Sequence, residues 1–167
     1  MTGLRITRGE AGEWIEIRPQ RHGERRVAGR IKLVEQSPER VVAHTRYAPG
    51  LLIERHSHLA NEVIFVIAGE LRVDGERCGA GTTLVLEQGT PFGPVEAGPE
   101  GAELFECFDG PPGHVSLDDD GFLALLAARG ITLLPETHAS LPDQGRTLAG
   151  ALPPDQPGVS RGSGEAR

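Results

Sequence analysis

Short runs of alternating apolar and polar residues, cut by glycine or proline at roughly 8 to 12 residue intervals, constrain this chain more than any other feature. Trp14-Ile15-Glu16-Ile17-Arg18, Val27 to Leu33 and Arg40 to Tyr47 carry the period of two that extended backbone needs to place its apolar side chains on one face. Leu51 to His58, Glu62 to Ala68, Thr82 to Leu86 and Ala102 to Phe108 read as further strands, and Gln88 to Gly93 and Gly98 to Gly101 read as loops. Asp74-Gly75 tolerates positive φ at both centres of a type I′ turn, so Leu71-Arg72-Val73 and Glu76 to Cys78 form the predicted hairpin. Many short strands joined by turns fold as a sandwich or a barrel. Helical periodicity occurs once, from about Phe122 to Arg129, with the Asp118-Asp119-Asp120 run to cap it and Gly130 to stop it; Ile131 to Leu134 adds an edge strand. The oxygen-ligand spacing of a calcium loop is missing from that aspartate run, which leaves capping as its role.

The chain has 167 residues and a net charge of −7, which argues against nucleic acid or an anionic membrane surface as partner. No run approaches the roughly 20 apolar residues of a membrane span, and the first twenty residues lack a signal-peptide core, so the expected location is the cytoplasm. Cys78 and Cys107 are too few for a disulfide scaffold and are expected as two buried free thiols. Proline, glycine, serine and charged residues dominate from Pro135 onward, a composition that buries too little apolar surface to offset its ordering entropy. The expected organisation is a barrel domain over 1–115, a helix and edge segment packed on it over 116–134, and a largely flexible tail over 135–167.

Chemistry concentrates between Gly50 and Gly69. His56 and His58, two apart, leave the same face of a strand, and Glu62 follows after a link long enough to bring a carboxylate back to them. Two imidazoles and a carboxylate suit a divalent first-row cation with open coordination positions, which the expected energetics support: an unpaired glutamate inside a barrel costs several kcal/mol.

Gly50, His56, His58, Glu62 and Gly69 stand at the offsets of the first motif of the cupin superfamily, which the stretch from about Arg40 to Phe108 resembles. That resemblance implies an all-β double-stranded β-helix, the cupin jelly-roll barrel, followed here by the short C-terminal helix and the tail. In the second cupin motif Gly81 and Gly89 fall correctly, but Glu87 stands at the proline position and Phe92 at the histidine that supplies the family's fourth ligand. The expected site is therefore His56, His58 and Glu62 with an exposed face. Glu87, Glu96 and Glu106 are candidate substitutes, and strand parity admits His44 as fourth ligand, general base or ligand support. Ile64, Val66, Phe92 and Glu106 are expected to line the substrate pocket, with Phe92 as an apolar wall; His22, His114 and His138 read as surface residues.

The function expected from these residues and the resemblance is a metal-dependent enzyme acting on a small, largely apolar organic molecule. Ferrous iron is the first choice of cofactor, with zinc, manganese, nickel, cobalt or copper as the other divalent options, and dioxygenase chemistry is the first choice of reaction. The alternatives are a non-redox isomerase, cyclase or lyase, with His44 shuttling a proton, and a non-catalytic barrel that binds or senses a small ligand. A homodimer is expected from the apolar strand faces.

Overall fold

The computed structural model describes residues 3–136. Eleven strands and one helix follow in the order β1 (Ile15–His22), β2 (Arg25–Gln36), β3 (Val41–Tyr47), β4 (Leu52–Ile53), β5 (His56–His58), β6 (Glu62–Val73), β7 (Glu76–Gly79), β8 (Thr83–Leu86), β9 (Val95–Phe108), β10 (His114–Ser116), α1 (Asp119–Ala128) and β11 (Ile131–Leu133). The main sheet runs β11-β1-β2-β3-β9-β6-β7, with β4 added on β9 and β8 on β6; β10 and β5 form a second, two-stranded sheet. All the pairings are antiparallel, and the all-β cupin barrel implied by the motif is the architecture observed. No helix among the described residues is long and apolar enough to cross a membrane.

Alternation decides which residues enter the barrel. Along β6, Glu62, Ile64, Val66, Leu71 and Val73 are buried while Val63, Phe65 and Ile67 are exposed. Leu104, Glu106 and Phe108 turn inward from β9 in the same way, and Leu104 joins Ile64, Val66, Leu71, Leu51, Phe92 and Val95 in the central core, while Phe108 packs with Val41 and Ala60. The hairpin at Asp74-Gly75 is formed as predicted, with φ of 49° and 86° at its two centres. Asp118 caps α1, accepting from the Gly121 amide at 3.0 Å, so the helix begins at Asp119, three residues before the predicted start. Phe122 and Leu126 bury its inner face against Leu52.

Three expectations are corrected. Gly98 to Gly101, read as a loop, lies inside β9, because the β6 ladder continues past it through a bulge and re-pairs Leu71 with Ala97 beyond. Leu51 to His58, read as one strand, is broken at Glu54-Arg55 into β4 and β5, which pair with different partners. Cys78 and Cys107 are free thiols, half-buried rather than buried. The tail beyond residue 136, with His138, lies outside the described residues.

Candidate metal centre

The break after β4 is what aims the histidines. Once freed from β9, β5 pairs with β10, setting His58 opposite His114 and His56 opposite Ser116. The ligand-capable nitrogens of His56, His58 and His114 all lie within 4.8 Å of one another. The His56 and His114 rings stack at 4.4 Å, and His58 meets both edge-on at 5.0 and 5.6 Å. His114, expected at the surface, is only 4% exposed. The reason is local: Pro111-Pro112-Gly113 turns the chain, and the short ladder that follows lays it along the motif strand. A period-two reading of His114-Val115-Ser116 would have found a strand there, but three residues after two prolines are a weak signal.

The residues expected to form the site separate into three groups. His56, His58, Glu62, Ile64, Phe92 and Glu106 all line one internal cavity of about 70 Å³, together with His114 and Arg18. Val66 shares the inward face of β6 but is packed into the core and does not line the cavity. His44 is a correction: it points to the opposite face of β3, its ring 5.0 Å from Trp14 and its Nε2 2.6 Å from Glu103. Thr45, not His44, is the β3 residue facing inward, because the ladder with β9 sets Thr45 opposite the inward Leu104. Among the other candidate substitutes, Glu96 is bound to Arg129 at 2.8 Å on the outside, and Glu87 is exposed. His22 is half-buried, its Nε2 3.1 Å from Gln20 Oε1.

Glu62 tests whether a cation fits. Its Oε2 is buried without a hydrogen-bond partner and lies 3.6 Å from His58 Nε2, beyond hydrogen-bonding reach. Ligands held at about 2.1 Å by one metal ion stand roughly 3.0 to 3.5 Å apart, so a divalent ion between these atoms would satisfy both. His58 Nδ1 is likewise buried and unpartnered. Burial, then the neighbouring His114 and Arg18, pushes His58 down to about 3, and burial with the adjacent His114 and His58 holds His56 well below its ordinary value. Both rings are therefore neutral, the form in which imidazole ligates. The arrangement fits a metal ion.

Two buried carboxylates, Glu62 and Glu106, face the same cavity. Burial raises Glu62 well above the carboxylate range, with Glu106 adding to it. Burial pushes Glu106 up to about 7, against hydrogen bonds from Thr45, whose Oγ1 lies 2.6 Å from Oε2, and from Tyr47. The folded state therefore keeps a proton on Glu106 that the unfolded chain loses near 4.5, and stability contributed by this group falls as pH rises from about 4.5 to 7. His56 and His58 act in the opposite sense below their ordinary 6.5, so the wild-type profile mixes both. Urea unfolding of metal-free protein against Glu106→Gln reads Glu106 together with its effect on neighbouring Glu62: the wild type should lose stability relative to the variant across that window, on the order of 2 to 3 kcal/mol. A pH-independent difference would disprove the buried proton.

Residues 9–108 match the family of ChrR cupin-like domains. Among solved structures, an RmlC-like cupin from Shewanella frigidimarina is 20% identical over 72% of this chain and 96% of its own, with a TM-score of 0.52. An RmlC-like cupin from Ralstonia eutropha is 14% identical over 81% and 95%, with a TM-score of 0.54. The polyketide cyclase RemF from Streptomyces resistomycificus is 17% identical over 66% and 83%, with a TM-score of 0.50. At these identities the likeness is one of fold. No curated protein matches the sequence.

Proposed function

The chain belongs to the ChrR cupin-like domain family, and on that footing we propose that it is a metal-dependent cupin enzyme acting on a small, largely apolar organic molecule inside the barrel. The observation that carries this is the convergence of three histidine side chains within 4.8 Å beside an unpartnered buried carboxylate oxygen. His56, His58 and His114 would hold the ion, and Glu62 stands where it can complete the set. Such an ion supplies Lewis acidity and, as ferrous iron, a route to dioxygen.

The chain's own residues set the rest of the chemistry. Phe92, its ring 4.2 Å from His56 and 6.0 Å from His58, walls the histidines from water where the second cupin motif would place a ligand. Ile53, Ile64, Leu71 and Val95 extend that apolar lining, which selects a substrate with little charge. Dioxygenase chemistry is the first reading, since three or four protein ligands leave an octahedral ion positions for substrate and oxygen. A second, non-redox reading is favoured by one observation: Glu106 faces the cavity and exchanges its proton near pH 7, as a base for isomerisation or cyclisation must. In that reading Glu106 takes the role that strand parity had offered to His44. A homodimer forms part of the proposal, with the outward Val63, Phe65, Ile67, Val85 and Phe105, each at least 41% exposed, as its apolar surface.

Metal analysis of protein purified without chelator, followed by oxygen-electrode assays over small enolisable and aromatic compounds, tests both readings. Near-stoichiometric metal with substrate-dependent oxygen uptake is the expected result. Turnover that persists under anaerobic conditions would move the assignment to proton transfer, and metal without any turnover would leave a binding barrel.

A further inference from the structure

The first cupin motif leaves Glu54 and Arg18 unmentioned, yet both stand against the histidines. Glu54, 1% exposed, accepts from Arg18 Nη1 at 2.7 Å through Oε1, and the same oxygen is 3.0 Å from His114 Nε2. Its backbone carbonyl lies 2.8 Å from His56 Nδ1. A carboxylate and a carbonyl only accept, so each ring nitrogen that meets Glu54 must carry the hydrogen. His56 is thereby fixed with its proton on Nδ1 and its lone pair on Nε2. His114 is fixed the other way round: its Nε2 carries a hydrogen toward Glu54, which in the neutral ring leaves the lone pair on Nδ1.

Arg18 stands against the same ring. Its Nη2 is 3.2 Å from His114 Nδ1 and 3.0 Å from Nε2, and an atom that close to both nitrogens of one imidazole lies over the ring face rather than on the in-plane lone pair of either. Arg18 reaches this place from a distorted backbone. Its φ is 53°, and the β1–β2 ladder slips register between Ile17 and Gln20 around it. A non-glycine residue is strained in the left-handed region and persists there where the surroundings over-determine it. Here what the distortion gains is a guanidinium inside the cavity.

Resting on the metal reading above, we propose that Glu54 is a positioning residue that presents His56 through Nε2 and His114 through Nδ1, and that Arg18, its guanidinium held over the His114 ring, opposes cation uptake by its charge. The two members of one ion pair therefore act on metal uptake with opposite signs. Glu54 organises the ligands and strengthens His114 as a donor; Arg18 sets a positive charge beside the donor atom.

Long-range 1H–15N correlation spectra of histidine-labelled, metal-free protein at mildly alkaline pH read each tautomer directly. The expected pattern is Nδ1–H for His56 and Nε2–H for His114, with His56 Nε2 and His114 Nδ1 shifting when Zn2+ is added. A His114 that is mainly Nδ1–H, or that takes Zn2+ through Nε2, overturns the proposal. Zn2+ affinity measured by competition with a chromophoric chelator should weaken about 10- to 100-fold in Glu54→Gln. In Arg18→Met it should tighten by up to about tenfold, as the opposing positive charge is lost. Equal weakening in both variants means that the pair only supports the fold, and overturns the proposal. If Glu54→Gln fails to fold, the double variant Arg18→Met/Glu54→Leu removes both buried charges together and should bind Zn2+ more weakly than Arg18→Met alone, by about 10- to 100-fold. A wild type that takes up no Zn2+ overturns the metal reading and this inference with it; one that takes up Zn2+ through the wrong His114 nitrogen overturns this inference alone.

Discussion

Replacing His114 by alanine is expected to reduce the metal in protein purified without chelator from near-stoichiometric to trace. Removing even an indirect support of a metal ligand costs roughly 10- to 100-fold in affinity, so loss of a ligand itself should cost at least about 100-fold. His114 lies on the neighbouring strand, its ring 4.4 Å from His56, and its loss leaves His56 and His58 without a third imidazole. His56→Ala and His58→Ala should do the same. His44→Ala, with its side chain on the outer face against Trp14, should retain the metal. The contrast is decisive between two ligand sets. If His114→Ala keeps wild-type metal while His56→Ala loses it, the motif residues His56, His58 and Glu62 suffice, and the three-histidine assignment falls.

Gly69→Ala is expected to be the most destabilising small substitution in the barrel. Gly69 has φ of 69°, and a Cβ there would stand 2.1 Å from the Gly101 carbonyl oxygen and 3.1 Å from the Ala102 Cα. Those are backbone atoms of the β9 bulge, which cannot turn aside as a side chain would. The left-handed conformation alone costs an alanine about 1 kcal/mol, and the clash should bring the total to about 3 kcal/mol or more, a fall in Tm on the order of 10 °C. Gly75→Ala is the control. Its φ is 86° but nothing lies within 4 Å of its added Cβ, so only the conformational cost of about 1 kcal/mol should appear. Equal losses in the two variants would show that the β6–β9 approach has no part in the requirement for glycine at 69. The same geometry explains why the first cupin motif ends on a glycine: β6 bends there, and β9 passes close enough to exclude a side chain.

Much of this protein was legible before any coordinates. Alternation marked the strands and their inward faces, as at Glu62, Ile64 and Val66, because a side-chain period of two is a property of extended backbone and owes nothing to distant contacts. The Asp74-Gly75 hairpin and the Asp118 cap were local chemistry for the same reason. The spacing of His56, His58 and Glu62 put three polar groups on one face and identified the barrel family.

Three matters only the tertiary structure decided. His44 and Thr45 are adjacent, and which of them faces the cavity depends on the register β3 takes against β9, a choice made by the whole sheet rather than by the strand. Arg18 enters the cavity only because β1 bulges against β2. His114 joins the histidines only because β5 leaves the main sheet and takes β10 as its partner, and that pairing joins segments more than fifty positions apart. Sequence by itself determined the fold and three of the four candidate ligands, His56, His58 and Glu62, since both rest on short-range periodicity. The third histidine, and the Arg18–Glu54 pair that orients it, come from long-range strand pairing, which no local pattern encodes.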